Sequence, residues 1–283
     1  MKVQLECYPC FVRQALLALR LCVNDKAAIE SSLKALLPFI AEIDTTMTPA
    51  HTTTVMHRRI RQLLGSDPFR HIKHEYNQKA LAMFESMTQT TLQSQDPLWT
   101  STRLAIAGNI IDFSIFTSVD MESSIRRALT ESLAVDNFPA FKEAVKEADK
   151  IIYLVDNAGE IVFDRVLVDV LQAMGRHVSV AVKGQVVIND ATKADALEAG
   201  LDSGYTLIDN GSDGVGTILE LCSDSFRRHF DEADLIISKG QGNFETLHEL
   251  NRNNIFFLFQ TKCPAVSREL GLSEGAMLLS KGI

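Results

Sequence analysis

The sequence lacks the features that mark membrane, secreted or nucleic-acid-binding proteins. Its 283 residues contain no apolar run of the roughly 18 residues that a transmembrane helix needs. Glu6 interrupts the apolar character of the first residues, so we expect no secretory signal and a cytoplasmic protein. The 36 acidic residues outnumber the 28 basic ones, which argues against a broad basic surface. We therefore expect neither a membrane nor a nucleic acid as a partner.

Cysteine is scarce, and the five that occur are an odd, sparse set unlike an extracellular disulfide framework. Cys7 and Cys10 form a CxxC pair. This could be a redox pair, half of a zinc site or a local pair of buried thiols. The chain has no second CxxC and no His-x3-His, so structural zinc has weak support.

The pattern of apolar residues changes near residue 150. Residues 1–148 have helical spacing throughout, with helix starts indicated at Thr48–Pro49 and Asp96–Pro97 and a helix end at Gly65. Beyond that point, short apolar runs of strand length alternate with helical patterns, which is typical of parallel βαβ units. The candidate strands are 151–155, 178–182, 205–208, 235–237 and 255–259.

These patterns predict an α/β protein built from parallel βαβ units. The sheet is expected to be doubly wound and mainly parallel. An N-terminal all-helical subdomain would comprise residues 1–148, and an α/β catalytic domain would comprise residues 149–283. No flexible linker separates the two parts, so we expect them to pack together.

Polar, glycine-bearing turns come after four of the candidate strands. Because the carboxyl ends of parallel strands share one edge of a sheet, we expect these turns to meet there. Their carboxylates, amides, lysine and glycine backbone suit a phosphate held with a divalent cation. The turns contain residues 156–160, 183–184 with 189–190, 209–217 and 239–245. A Rossmann GxGxxG and a P-loop are both missing, which disfavours binding of NAD or a nucleotide triphosphate.

The turn Asp156-Asn157-Ala158-Gly159-Glu160 carries most of this signal. Asp156 could bind a metal through a carboxylate oxygen, and Asn157 could do so through its amide oxygen. Gly159 would let backbone N–H groups approach an anion closely. The alternative is an ordinary turn in which Asp or Asn caps the following helix.

The combination of this turn with Asn189–Asp190 and with Lys239-Gly240-Gln241-Gly242-Asn243-Phe244-Glu245 resembles the DUF89 family, the metal-dependent damage-control phosphatases. The stretch from Ala105 to Asp112 also resembles that family, and the CxxC resembles its microbial branch. The similarity spans nearly the whole chain. It implies a helical N-terminal part packed on a three-layer α/β/α domain. It also implies hydrolysis of phosphomonoesters with a divalent ion such as Mn, Co, Ni or Mg.

The resemblance also assigns roles to residues. Asp156, Asn157 and Asp190 would be catalytic metal ligands, and Lys239 would be a catalytic phosphate contact. Further substrate contacts are expected in the same turns and in the helical part: Gly159, Glu160, Asn109, Asp112, Asp213, Gly242 and Asn243.

The function predicted on these grounds is metal-dependent hydrolysis of phosphomonoesters of small metabolites, such as sugar phosphates or damaged phosphorylated metabolites. A metal-activated water is favoured over direct attack by Asp156, which would give an aspartyl-phosphate. We expect the CxxC not to be essential to this chemistry. The alternatives are a non-catalytic binder of phosphorylated metabolites and a carboxyl methyltransferase.

Overall fold

The first part of the chain is helical, as its apolar spacing predicts. The computed structural model describes residues 1–110 and 120–282. Within them, no helix combines the length and the apolar character that crossing a membrane requires. The helices before the central strands are α1 (Cys7–Cys22), α2 (Lys26–Ala41), α3 (Pro49–Leu64), α4 (Arg70–Leu92), α5 (Pro97–Gly108), α6 (Met121–Thr130) and α7 (Phe138–Glu147).

Helices α3 and α5 begin and end where capping residues stand in the sequence. The side chains of Thr48 and Asp96 each accept a hydrogen bond from the backbone N–H three residues later, at 3.2 and 3.1 Å. Proline follows each cap at the start of the helix, where a missing N–H costs nothing. Gly65 ends α3 with a left-handed φ of 66°.

Seven strands of the described residues form one sheet in the order β1-β7-β6-β5-β2-β3-β4. Strands β2 to β6 pair in parallel, and β7 pairs antiparallel with β6. Strands β2 to β6 correspond to the five predicted strands, which confirms an α/β fold with a mainly parallel sheet. The strands are β1 (Val135–Asp136), β2 (Lys150–Leu154), β3 (His177–Val182), β4 (Thr206–Asp209), β5 (Leu235–Lys239), β6 (Ile255–Gln260) and β7 (Met277–Lys281).

Strands β1 and β7 were not predicted by the sequence pattern. β1 is only two residues long and lies within the segment 1–148, so it gives no periodic signal. β7 pairs with β6 in the antiparallel direction, which the βαβ pattern does not predict. Through β1, the segment that is otherwise helical contributes an edge strand to the sheet. The division into two subdomains at residue 148 stays a prediction.

Helices cover both faces of the sheet. The helices α8 (Glu160–Ala173) and α9 (Lys193–Glu198) follow β2 and β3, whereas α10 (Asp224–Glu232), α11 (Gln241–Leu247) and α12 (Pro264–Leu270) come later. Side chains of a strand alternate between faces. Accordingly, Ile151 and Tyr153 of β2 pack in one core with α5 and α8, and Ile152 and Leu154 pack in the other with α1 and α10.

Strand β2 lies at the point where the order of the sheet reverses. Its neighbours in the sheet are β3 on one side and β5 on the other. After β2, the chain adds β3 and β4 on one side and then crosses over to place β5 on the other side of β2. Crevices at such switch points, at the carboxyl ends of the strands, bind ligands in open α/β sheets. The turns that begin at Asp156 and Gly240 flank this crevice.

Close packing of α5 against α8 gives a first prediction. A Cβ atom at Gly108 would lie 2.7 Å from the Cβ of Phe163 and 2.8 Å from its Cγ. In an exposed helix, Gly→Ala gains up to about 1 kcal/mol from helix propensity. Here we expect Gly108→Ala to lose about 1–3 kcal/mol, because overpacking forces the helices apart. Denaturant unfolding measures the difference, and an unchanged or increased stability would contradict the packing argument.

Candidate active site

Backbone hydrogen bonds join the turn after β2 to the loop after β3. Asn157 and Asp190 form an isolated antiparallel bridge. Ala191 N donates to the carbonyl of Asp156 at 2.8 Å, and Ala158 N donates to the carbonyl of Asn189, also at 2.8 Å. Two segments that are about 30 residues apart in sequence are thereby held side by side, in the way adjoining strands are. This places the side chains of Asp156, Asn157 and Asp190 at one location.

The three side chains line a cavity of about 550 Å³ at the carboxyl edge of the sheet. Its volume is in the range of sites for small molecules, about 300–1,000 Å³. Helices α1 and α3 form part of the wall, so the helical part and the sheet both shape it. The other lining residues with polar or thiol side chains are Glu6, Cys7, Cys10, Arg13, Gln14, Thr53, Asn189, Gln241, Glu245, Lys262, Cys263 and Glu274.

The donor atoms at this edge fit a hard divalent cation. Asp156 and Asp190 offer carboxylate oxygens, which such ions prefer. The Nδ2 of Asn157 donates to Asp156 Oδ2 at 2.8 Å and to Glu160 Oε2 at 2.9 Å. The amide oxygen of Asn157 is therefore the atom left for the cavity. Among the described residues, no group of three His, Cys, Asp or Glu side chains forms a metal cluster, so the amide is needed to complete a three-residue set.

Lys239 lies behind the cavity, fully buried. Its Nζ donates to Glu160 Oε1 at 2.7 Å, to Asp164 Oδ1 at 2.5 Å and to the carbonyl of Ala105 at 2.8 Å. Burial alone would lower the pKa of this amine, but the Asp164 and Glu160 carboxylates raise it overall, so the lysine carries its charge. The direct phosphate contact expected of Lys239 has no support in this geometry, because the side chain passes beneath the turn toward α5 and α8.

Asp164 and Tyr153 lie next to this lysine. The hydroxyl of Tyr153 donates to Asp164 Oδ1 at 2.9 Å. Burial raises the pKa of Asp164 to about 7 against the opposing charge of Lys239. Three ionisable groups, Glu160, Asp164 and Lys239, thus share one dry region, where charges must be paired to be tolerated.

Glu160 and Asn109 also lie behind the ligand set, although both were expected to contact substrate. Asn109 Nδ2 donates to Asp156 Oδ2 at 3.1 Å and to both oxygens of Glu160 at 3.0 Å. Its Oδ1 accepts from the backbone N–H of Gln260 at 3.1 Å. Asn109 therefore ties the end of α5 to β6 and to the turn. Asp112, expected beside it, lies outside the described residues.

The chain's relatives identify its family. The damage-control phosphatase ARMT1-like domain matches residues 3–278. The chain belongs to this family. A damage-control phosphatase of Pyrococcus horikoshii is 36% identical over 282 residues, covering 98% of this chain and 97% of that protein. An uncharacterized protein of Methanocaldococcus jannaschii is 33% identical over 290 residues, covering 99% of this chain and 95% of the relative.

A solved structure agrees with the fold. The crystal structure of a DUF89 family protein from Pyrococcus horikoshii matches with a TM-score of 0.89 and 34% identity, covering 100% of both chains. The DUF89 resemblance seen in the sequence is confirmed, as is the α/β fold class. At the level of the family, the prediction of a metabolite phosphatase is confirmed as well.

Gly159 of the phosphatase does not offer its N–H to the cavity. This glycine has a φ of 78°, which side-chain-bearing residues rarely adopt. Its N–H donates to Asn77 Oδ1 at 2.6 Å, and Asn77 Nδ2 donates to Glu198 at 2.8 Å. The glycine therefore serves to anchor the turn on α4, whereas its N–H was expected to approach an anion.

The remaining expected substrate contacts divide between the cavity and the framework around it. Gly242 lines the cavity. Asn243 is buried and donates to the carbonyl of Lys239 at 2.7 Å. Asp213 accepts hydrogen bonds from Arg58, and Arg61 lies 2.6 Å from it. These bonds attach the loop after β4 to helix α3, outside the cavity wall.

Lys262 is a cation of the cavity that the sequence motifs did not single out. It is 5% exposed and lines the same space as the ligand set. Its backbone N–H donates to Gln241 Oε1 at 3.1 Å. The sequence does carry a signal for it, because Thr261–Lys262 directly succeeds β6, as the other polar turns succeed β2 to β5. This fifth turn contains no glycine, so it does not share the glycine-bearing pattern of the other four.

The CxxC also borders the cavity. Cys7, Cys10 and Cys263 are free thiols that line it. Burial raises the pKa of Cys7 to about 11 and raises the pKa of Cys10 and Cys263 as well. These thiols are therefore neutral near pH 7, which disfavours a thiolate nucleophile. The described residues show no zinc cluster that includes them.

Close approach of Gly240 to Asp156 gives the second prediction. Gly240 has a φ of 82°, and a Cβ there would lie 1.9 Å from Asp156 Oδ2. We expect Gly240→Ala to displace this carboxylate and to lower phosphatase activity about a hundredfold, as misplacement of a reacting group by about 1 Å does. The matched control is Gly65→Ala, which has the same sign of φ but no atom within 4 Å of its Cβ. Equal losses of activity in the two variants would contradict a specific effect on Asp156.

Proposed function

We propose that the protein is a metal-dependent phosphomonoesterase acting on small phosphorylated metabolites, with Asp156, Asn157 and Asp190 holding one divalent ion. The observation that carries the proposal is the meeting of two carboxylates and one oriented amide on a cavity at the switch point of the sheet. Oxygen donors of this kind suit Mn, Co, Ni or Mg. The phosphatase names of the relatives support the same reaction class.

The residues around the cavity have different roles in the proposed reaction. A divalent ion held by Asp156, Asn157 and Asp190 would polarise phosphate oxygens as a Lewis acid and would lower the pKa of a bound water. Lys262 would neutralise a further phosphate oxygen, where negative charge grows in the transition state. A water oxygen bonds to phosphorus, the ester P–O bond breaks, and a proton of that water passes to the departing oxygen, which leaves as the alcohol. The rest of the cavity, up to α1 and α12, holds the organic part of the substrate.

Lys183 sets the charge on the Asp190 side. Its Nζ lies 3.3 Å from Asp190 Oδ2 and also donates to the carbonyl of Gly216. Both side chains are buried. A buried carboxylate is tolerated when an opposite charge pairs with it, as Lys183 does here.

The third prediction tests the metal. Purified protein stripped with EDTA should release no phosphate from p-nitrophenyl phosphate, and Mn, Co, Ni or Mg should restore turnover. Asp190→Asn should lower the rate by about a hundredfold and weaken metal binding, since a neutral amide is a poorer ligand for a hard ion. The control is the same exchange at the exposed Asp202. Full turnover without metal would overturn metal dependence, and metal binding without any turnover would favour a non-catalytic binder.

The fourth prediction concerns the cavity lysine. Lys262→Ala should cut kcat/KM by about a hundredfold, the loss typical of one strong electrostatic contact to the transition state. Metal binding should change little, because the lysine is a contact to substrate and the ligand set is intact. Arg13→Ala, at an exposed position on the rim of the same cavity, is the control and should change kcat/KM only slightly. Steady-state kinetics with saturating Mn measure both, and a near-normal Lys262→Ala would remove this lysine from the phosphate site.

A further inference from the structure

The orientation of the Asn157 amide is fixed by acceptors behind it. Its Nδ2 faces Asp156 Oδ2 and Glu160 Oε2, at 2.8 and 2.9 Å. In the reverse orientation the amide oxygen would face two carboxylate oxygens, which have no hydrogen to donate. The buried carboxylates therefore determine that the oxygen of this amide, and not its N–H groups, is left for the cavity.

Glu160 is in turn held by Lys239. The carboxylate receives Lys239 Nζ at 2.7 Å on Oε1, while Asn157 and Asn109 occupy Oε2. The lysine is fixed by Asp164 and by the carbonyl of Ala105. Glu160 and Lys239 are wholly buried, and Asp164 nearly so. A chain of charge-assisted hydrogen bonds thus runs from Asp164 through Lys239 and Glu160 to the amide of Asn157.

We propose that Lys239 is a positioning residue: it holds Glu160 so that the oxygen of Asn157 faces the divalent ion, and it makes no contact with phosphate. The inference rests on the proposed metal site and explains which buried residues determine the affinity of that site for the divalent ion. Outer groups that orient a ligand commonly change metal affinity about 10–100-fold when they are removed.

Two other roles for Lys239 make different predictions. A lysine that contacts phosphate would affect phosphate binding and leave metal affinity alone. A lysine that acts only through its charge would oppose a nearby cation, so its removal would tighten metal binding. Positioning predicts weaker metal binding together with unchanged phosphate binding once the metal site is saturated.

The test uses the charge-neutral double variant Lys239→Met/Asp164→Asn. It removes one positive and one negative charge, and the amide oxygen of the new asparagine can still accept from the Tyr153 hydroxyl, as Asp164 Oδ1 does. The Oδ2 of Asp164 has no hydrogen-bond partner within the described residues, so the exchange breaks no bond on that side. Calorimetry measures the Kd of Mn, circular dichroism checks the fold, and inhibition of p-nitrophenyl phosphate turnover by inorganic phosphate at saturating Mn measures phosphate binding.

We expect the Kd of Mn to rise at least about tenfold in the double variant and the inhibition constant of phosphate to change less than about twofold. An unchanged or tighter Kd for Mn, or a weakened inhibition by phosphate with a normal Kd for Mn, would overturn the inference. If the wild-type protein neither binds Mn nor turns over substrate, the proposed function has failed, and not the positioning role.

A second comparison uses two conservative exchanges that each remove one negative charge from the same buried cluster. Glu160→Gln replaces an acceptor of the Asn157 amide with a group that also donates, so the amide can turn. Asp164→Asn keeps an oxygen that accepts from Lys239 and Tyr153. We expect Glu160→Gln to raise the Kd of Mn at least about fivefold more than Asp164→Asn does. Equal effects of the two exchanges would show that charge alone matters, and would count against positioning.

Discussion

The need to pair buried charge behind the sheet edge determines the arrangement of the active site. Glu160 and Asp164 are carboxylates with almost no access to water, and Lys239 lies between them. Breaking such a group by removing one partner typically costs about 3–5 kcal/mol, so the three side chains can adopt few other arrangements. Glu160 also accepts hydrogen bonds from Asn157 and Asn109. The fixed position of the buried Glu160 therefore also fixes the amide of Asn157 on the cavity side of the turn.

The chain uses its lysines in three different ways at one edge of the sheet. Lys239 is the last residue of β5, and its side chain lies beneath the turn, where it donates to Glu160 and to the carbonyl of Ala105. Lys183 follows β3 and pairs with Asp190, a proposed metal ligand. Lys262 follows β6 and lines the cavity itself, where a phosphate would lie. The position of a lysine at the end of a parallel strand therefore does not determine its role. The deciding factor is whether the local backbone directs the side chain toward the crevice or toward the helices.

This difference explains which parts could be predicted from the sequence. The five central strands were predictable because their apolar runs are continuous, and parallel pairing predicted that the turns after β2 and β3 share one edge of the sheet. The backbone hydrogen bonds that bring Asp190 beside Asn157 join residues beyond the ends of both strands, so strand pairing alone does not predict them. The partners of Lys239, Gly159 and Asn109 could not be predicted, because each depends on a contact with a residue more than 70 positions away. The edge strand β1 could not be predicted either, because a strand of two residues is too short to show a periodic pattern in the sequence.

The two sides of the cavity are formed by different parts of the chain, and we expect each side to contact a different part of the substrate. The proposed ligand set comes from turns of the sheet, and paired buried charges lie behind the turn that contains Asp156 and Asn157. The opposite wall comes from α1, α3 and the start of α12, and it carries neutral thiols, the amide of Gln14 and a rim guanidinium. A phosphate would therefore meet the side of the proposed ligand set, and the organic part of the substrate would meet the helical wall. In the proposed reaction, selectivity among phosphorylated metabolites would depend on residues of the helical wall, which lie apart from the buried charges behind Asn157.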